Sequence, residues 1–138
     1  MGVLVPRPLL ADAGSSVSAL PASAASDASL SREERVAAFD ALRRDWVGDT
    51  LLTRARNLER RFGLRELWLK FEGDNPTGTQ KDRIAFAHAQ DALARGYEAV
   101  TVATCGNYGV ALATAARLAG LQCTCVVPEP YHTRRVVE

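Results

Sequence analysis

Between Glu66 and Val127 the chain alternates short β-like runs with helical stretches, and each change of pattern is marked by glycine or proline. Ala99-Val100-Thr101-Val102-Ala103 is an apolar, β-branched run that predicts a buried strand. Thr104-Cys105-Gly106-Asn107 turns it into an Ala-rich helical stretch, Tyr108 to Ala119, closed by Gly120. Gln122 to Val127 is β-like again and stops at Pro128. One helix between two such runs predicts a right-handed parallel crossover, since parallel neighbours cannot be joined by a tight turn. Upstream, Glu66–Glu72 sets Leu67, Leu69 and Phe71 against Trp68 and Lys70, the alternation of a strand. A helix is predicted from Asp82 to Arg95, with Ile84, Ala85, Ala89, Ala92 and Leu93 inward and Gly96 as its stop. Ser31 with Glu34 three residues on reads as a capping box, and Val36, Phe39, Leu42 and Trp46 recur at helical spacing behind it. Strand, helix, strand, helix, strand in this order predicts an α/β domain with parallel crossovers.

Composition narrows the function classes. The 138 residues carry 17 basic and 16 acidic side chains, so there is no basic surplus of the kind a nucleic-acid binder needs. No apolar run approaches the ~20 residues that span a bilayer. Cys105, Cys123 and Cys125 are an odd set with no Cys-x-x-Cys pair, which predicts a reducing, cytoplasmic setting and no disulfide framework. Cys123 and Cys125 would share one strand face as core residues, and with His88 and His132 lacking ligand-spaced partners no metal site is expected. Residues 1–30, rich in Ala, Ser and Pro, read as a disordered tail, with residues 31–138 as the folded part.

Two loops could carry chemistry. Thr104-Cys105-Gly106-Asn107-Tyr108-Gly109 lies where a strand delivers the chain to a helix N-terminus, the place where parallel sheets bind ligands and where free amides favour a carboxylate or phosphate. Taken alone, it reads better as an ordinary strand-to-helix turn, with Thr104 or Asn107 merely capping. The second loop, Asn75-Pro76-Thr77-Gly78-Thr79-Gln80-Lys81-Asp82-Arg83, holds one of only two lysines, Lys70 and Lys81, among 15 arginines. Arginine cannot form a Schiff base, which needs a primary amine able to lose its proton. Lys81 at a helix start is also badly placed for the helix dipole, whereas Lys70 reads as a solvated strand residue.

Together the loops resemble the fold-type-II pyridoxal-phosphate enzymes, the tryptophan-synthase-β-like superfamily. Glu72-Gly73-Asp74-Asn75-Pro76-Thr77-Gly78-Thr79-Gln80-Lys81-Asp82-Arg83 is similar to its Glu-x-x-Asn-Pro-Thr-Gly-Ser-x-Lys-Asp-Arg motif. Thr104-Cys105-Gly106-Asn107-Tyr108-Gly109 is similar to its Ser-Gly-Asn-Thr-Gly loop, and Gly48-Asp49-Thr50-Leu51-Leu52 to its Gly-x-Thr-Pro-Leu element. The resemblance covers about Gly48 to Glu138 and implies a three-layer, Rossmann-like parallel-sheet domain that is incomplete at its C-terminus. It implies that Lys81 carries pyridoxal 5'-phosphate as a Schiff base and moves the substrate's Cα proton. Asn107 would bond the cofactor's phenolic oxygen, and Thr104, Cys105, Gly106 and Tyr108 would line the substrate carboxylate site. Thr79 would orient Lys81, Asp82 and Arg83 would form a local structural pair, and His88 would be surface or core.

The motif leans toward the threonine-synthase branch, which converts O-phosphohomoserine to threonine and phosphate. Cysteine-synthase-like β-replacement and serine or threonine dehydration are alternatives, as is an inactive fragment needing a partner chain. Three positions depart from the pattern: Gln80 for an apolar residue, Tyr108 for Thr, and Leu51 for Pro. The glycine-rich cup for the cofactor phosphate has no counterpart in the sequence. The expected partners are therefore a small amino-acid substrate and a homodimer mate or complementing chain, with no nucleic acid and no membrane.

Overall fold

The computed structural model describes residues 24–129. Four α-helices, four strands and one 3-10 turn follow in the order α1 (Arg32–Trp46), β1 (Leu52–Arg54), α2 (Arg56–Phe62), β2 (Trp68–Lys70), the 3-10 turn Glu72–Asp74, α3 (Lys81–Ala94), β3 (Ala99–Ala103), α4 (Asn107–Leu118) and β4 (Gln122–Val126). The capping box is present. Ser31 Oγ accepts from the Glu34 amide at 3.2 Å, and Glu34 Oε2 accepts from the Ser31 amide at 2.8 Å. The glycine stops hold too: Gly96 and Gly120 take φ of +78° and +69°. Each hands the next amide back to the helix, Tyr97 N–H to Ala92 at 3.0 Å and Leu121 N–H to Ala116 at 2.8 Å.

The core is a layer of helices lying on one face of a parallel strand pair. β3 and β4 pair in parallel from Ala99 opposite Gln122 to Ala103 opposite Val126, joined by α4 as the predicted crossover. Phe39 and Leu42 of α1 meet Ala85, Phe86, Ala89 and Leu93 of α3, and α4 contributes Ala111, Leu112, Ala115 and Ala116. The Phe39 and Phe86 rings stack at 5.8 Å with 14° between their planes. Alanines at these positions let the helix axes approach, so the two phenylalanines fill the space between α1 and α3 without a void.

Several expectations are corrected. α3 begins at Lys81 and buries Asp82, Ala85, Phe86, Ala89, Ala92 and Leu93, while Ile84 is 44% exposed. At 100° per residue Ile84 falls outside the stripe through 82, 85, 86, 89, 92 and 93, and Phe86 takes its place. β3 is buried on one face only, since helices cover Val100 and Val102 while Ala99, Thr101 and Ala103 are open. β2 spans three residues and pairs antiparallel with β1, Leu52 opposite Lys70 and Arg54 opposite Trp68, so it stands outside the β3–β4 ladder. The parallel crossover is thus realised once, through α4. The β1–α2 segment was absent from the expected element order. Ala24–Ser26 form a helical turn, with Ala25 fully buried and its carbonyl accepting from Arg35 Nε at 3.1 Å. The tail expected to reach position 30 therefore packs from residue 24, and its remainder and the segment after Glu129 lie outside the described residues.

Candidate active site

Lys81 is the first residue of α3, and the residues on both sides of it are fixed by hydrogen bonds. Its own amide donates to Thr79 Oγ1 at 3.1 Å. Asp82, fully buried, accepts from the Thr77 amide at 3.0 Å and from Thr77 Oγ1 at 2.7 Å, closing the Pro76-Thr77-Gly78 turn onto the helix. Arg83 reaches Glu72 in a fork, Nε to Oε2 at 2.7 Å and an Nη to Oε1 at 2.9 Å. Asp82 and Arg83 are structural as expected, but each pairs with the preceding loop and not with the other. Their side chains leave α3 about 100° apart, which sends them to different parts of that loop.

Glu72 and Asn75 join this loop to the turn after α1. Asn75 is 3% exposed; its Oδ1 accepts from the Gly48 amide at 3.1 Å, and its Nδ2 donates to the Glu72 carbonyl at 2.9 Å and to Glu72 Oε2 at 3.0 Å. Thr50 Oγ1 donates to Glu72 Oε1 at 3.1 Å, and the Leu51 amide donates to Asp74 Oδ2 at 3.0 Å. The hydrogen bonds from Arg83, with Asn75 and Thr50 adding to them, hold the Glu72 carboxyl down at about 2. Gly48, at φ +102°, and Asp49, at φ +40°, make the turn that presents these groups, and a Cβ at Gly48 would crowd the Arg83 guanidinium at 3.2 Å. Glu72, Asn75 and Arg83 were visible as motif letters, but their mutual contacts were not.

The lysines differ in their surroundings. Lys70, expected to be solvated, donates from Nζ to the Thr50 carbonyl at 2.5 Å while staying exposed. Its register opposite Leu52 carries the side chain along β1 to that carbonyl. Lys81 is half-buried, and among the described residues its Nζ has no hydrogen-bond or ion-pair partner.

The second loop leads into α4. Gly106 precedes the helix in extended backbone, no side chain caps the helix start, and the first turn holds no acidic residue. Among the described residues, a Cβ at Gly106 would meet nothing within 4 Å, so the backbone just before α4 is not packed against a neighbour on that side. Gly109 is buried and is required for packing, because a Cβ there would collide with the Thr104 methyl. Cys105 and Asn107 are exposed, whereas Thr104 and Tyr108 are half-buried. Tyr108 does not open toward the helix start: its hydroxyl lies 2.5 Å from His88 Nδ1 on α3, with the rings edge-on at 6.1 Å. Burial, with the Cys123 thiol adding to it, raises Tyr108 above the ordinary phenol range, so the hydroxyl keeps its proton and shares a hydrogen bond with Nδ1 whose direction follows the imidazole tautomer. His88, expected at the surface or in the core, is exposed, but no local signal links positions 88 and 108.

Cys123 and Cys125 share the covered face of β4, with sulfurs 3.8 Å apart, and all three cysteines are free. Burial first and the neighbouring Cys125 second push the Cys123 thiol up to about 12, so it behaves as a small apolar group. Among the described residues, no helix is long and apolar enough to cross a membrane.

Known proteins place these features in a wider pattern. Residues 43–137 match the family described as pyridoxal-phosphate dependent enzyme. The chain is 40% identical over 82 residues to threonine synthase of Methanocaldococcus jannaschii, a match covering 59% of this chain and 20% of that protein. It is 35% identical over 95 residues to cystathionine beta-synthase of Apis mellifera, covering 65% and 19%. It is 36% identical over 93 residues to cysteine synthase of a Flavobacterium species, covering 64% and 30%. The chain thus spans less than a third of the length of the curated relatives it matches.

Proposed function

Because the chain belongs to the pyridoxal-phosphate dependent enzyme family, we propose that it carries the lysine-bearing part of a threonine-synthase-like active site, in which O-phosphohomoserine loses phosphate and takes up water to give threonine. One observation carries this reading. Among the described residues Lys81 carries a half-buried primary amine without a partner, flanked by Thr77, Asp82 and Arg83, whose side chains are engaged, and the α4 N-terminus has no side-chain cap. These residues fit the cofactor. Lys81 offers the only unengaged lysine amine, Asn107 an exposed amide side chain, and Gly106 a backbone with no neighbour packed on its Cβ side just before α4. When bound, pyridoxal phosphate supplies an electron sink for the carbanion formed at the substrate's Cα.

The chain's own residues do the remainder. Lys81 Nζ would hold the cofactor and, once the substrate's own amine has displaced it, would be free to take the Cα proton, a role that needs an amine released from structural duty. The Glu72–Arg83 fork, Asn75 and the Thr77–Asp82 pair hold the backbone on either side of Lys81 in place. Asn107 would bond the ring's phenolic oxygen. The free amides at the start of α4, with Thr104 and Cys105 at the rim, receive the amino acid's carboxylate. We assign the phosphate cup and the partner of the ring nitrogen to polypeptide outside these 138 residues, such as a homodimer mate or a complementing chain. The exposed faces of Leu52, Trp68, Leu69, Phe71 and Val126 support such a covering surface. The free cysteines support a cytoplasmic setting.

β-Replacement on an activated serine is the second reading, favoured by the relatives named cysteine synthase and cystathionine beta-synthase. Absorbance titration of the cofactor-loaded chain separates the two. O-phosphohomoserine is expected to shift the cofactor band at lower concentration than O-acetylserine or serine. A shift with O-acetylserine alone would replace the first reading with the second.

A further inference from the structure

We propose that His88 and Tyr108 form a positioning clamp that sets Asn107 and the α4 amides relative to Lys81. The inference rests on the site reading above and concerns residues outside the lysine motif. His88 lies seven residues after Lys81, two helical turns along one face of α3, or about 10 Å along its axis. Tyr108 directly follows Asn107 in the first turn of α4. The 2.5 Å contact between Tyr108 Oη and His88 Nδ1 therefore joins the helix that bears the lysine to the loop that bears the asparagine.

The surroundings make this contact specific. The Tyr108 ring packs against the apolar core, while its hydroxyl enters a cleft of about 280 Å³ at the edge of β3, lined by His88, Asp91, Tyr97, Val102 and Leu112. In that cleft Asp91 is engaged with Arg95 at 2.9 Å, and the Tyr108 hydroxyl lies against His88 Nδ1. No side chain caps the start of α4, and the Tyr108 hydroxyl gives its first turn a polar tie to α3 in addition to the apolar packing of Ala111 and Leu112. The clamp also withdraws the Tyr108 hydroxyl from the mouth of the helix, leaving main-chain amides there to meet a carboxylate.

The test uses the full chain with pyridoxal phosphate as the probe, in wild type, Tyr108→Phe, His88→Ala, His88→Asn and the Tyr108→Phe/His88→Ala double variant. Two readouts are followed. One is hydrogen exchange at the Gly109 amide, which bonds the Gly106 carbonyl at 2.9 Å. The other is the absorbance maximum of the Lys81-bound cofactor. Tyr108→Phe and His88→Ala are each expected to speed exchange at Gly109 about fivefold, the worth of one neutral hydrogen bond. Both should displace the band in the same direction, with Ala85 and Phe86 exchange unchanged. The double variant should match either single one. His88→Asn, whose amide occupies the place of Nδ1, should restore both readouts. Additive effects in the double variant, or a loss of thermal stability with band and Gly109 exchange unmoved, would overturn the clamp. If wild type takes up no cofactor on Lys81 the site reading fails by itself, and the exchange cycle still decides whether the two residues are coupled.

Discussion

The helical layer and the β1–β2 ribbon are held together by opposite means. In the layer, Phe39, Leu42, Phe86 and Leu93 are all but fully buried, and alanines bring α1, α3 and α4 close. In the ribbon, Leu52, Trp68, Leu69 and Phe71 are about half exposed, and the order comes from Glu59, Glu72 and Asn75. Glu59, itself buried, accepts from Arg54 Nε at 2.7 Å and from the Leu67 amide at 2.8 Å, tying β1, α2 and the approach to β2 together. Lys81 stands at the seam. Its helix is fixed by apolar packing and its entry loop by directed polar bonds. The contrast teaches that bulk stability and the placement of the lysine are governed by different residues, and should be separable.

The largest effect is expected in the layer. Phe86→Ala removes a fully buried ring that stacks on Phe39 and should cost about 3–5 kcal/mol in denaturant unfolding. A smaller loss would mean that α1 and α3 collapse together more readily than their packing implies. Asn75→Ala, at the seam, should cost about 1–3 kcal/mol, because it strips partners from the Gly48 amide and the Glu72 carbonyl. It should also slow cofactor capture by Lys81, whereas Phe86→Ala at a temperature where it remains folded should leave capture nearly intact. Equal effects of the two on capture would break the comparison.

Acid tests the polar side. The Glu72 carboxyl sits at about 2 in the folded chain against an ordinary value of 4.5. Its ionised form is thus favoured by folding: the contribution is fully present above about pH 4.5 and is lost as pH falls toward 2. Thermal melts across that window should show wild type losing stability more steeply than Glu72→Gln; parallel curves would remove Glu72 from the account. The smallest effect belongs to the ribbon surface, where Trp68→Thr should change stability by less than about 0.5 kcal/mol. A larger loss would show that the open face of β2 is covered in solution.

The layer was legible because its signals are long or local. A capping box at Ser31, glycines at 96 and 120, and a β-run on either side of one helix each fix a feature from a few neighbours. The ribbon was not, since a three-residue strand and a seven-residue helix are too short to show a period, and Ala55 offers no side-chain cap. Only Gly63, at φ +65°, marks the end of α2. Missing that segment hid the antiparallel partner of β2. Ile84 was misplaced because residue type was weighed over its angle on the helix. In the site, Lys81 stood out through the scarcity of lysine, while the engagement of Tyr108 by His88 depends on how α3 and α4 lie together, which no local pattern encodes.

The central claim is that Lys81 is the cofactor lysine, and the chain's two lysines make it directly testable. Pyridoxal phosphate is added to the full chain, the product is reduced with borohydride, and the modified peptides are identified by mass spectrometry. The account predicts the label on Lys81, with Lys70 nearly unlabelled because its amine is held by the Thr50 carbonyl, and loss of the label in Lys81→Ala. Labelling of Lys70 as readily as Lys81, or undiminished labelling in Lys81→Ala, would contradict it.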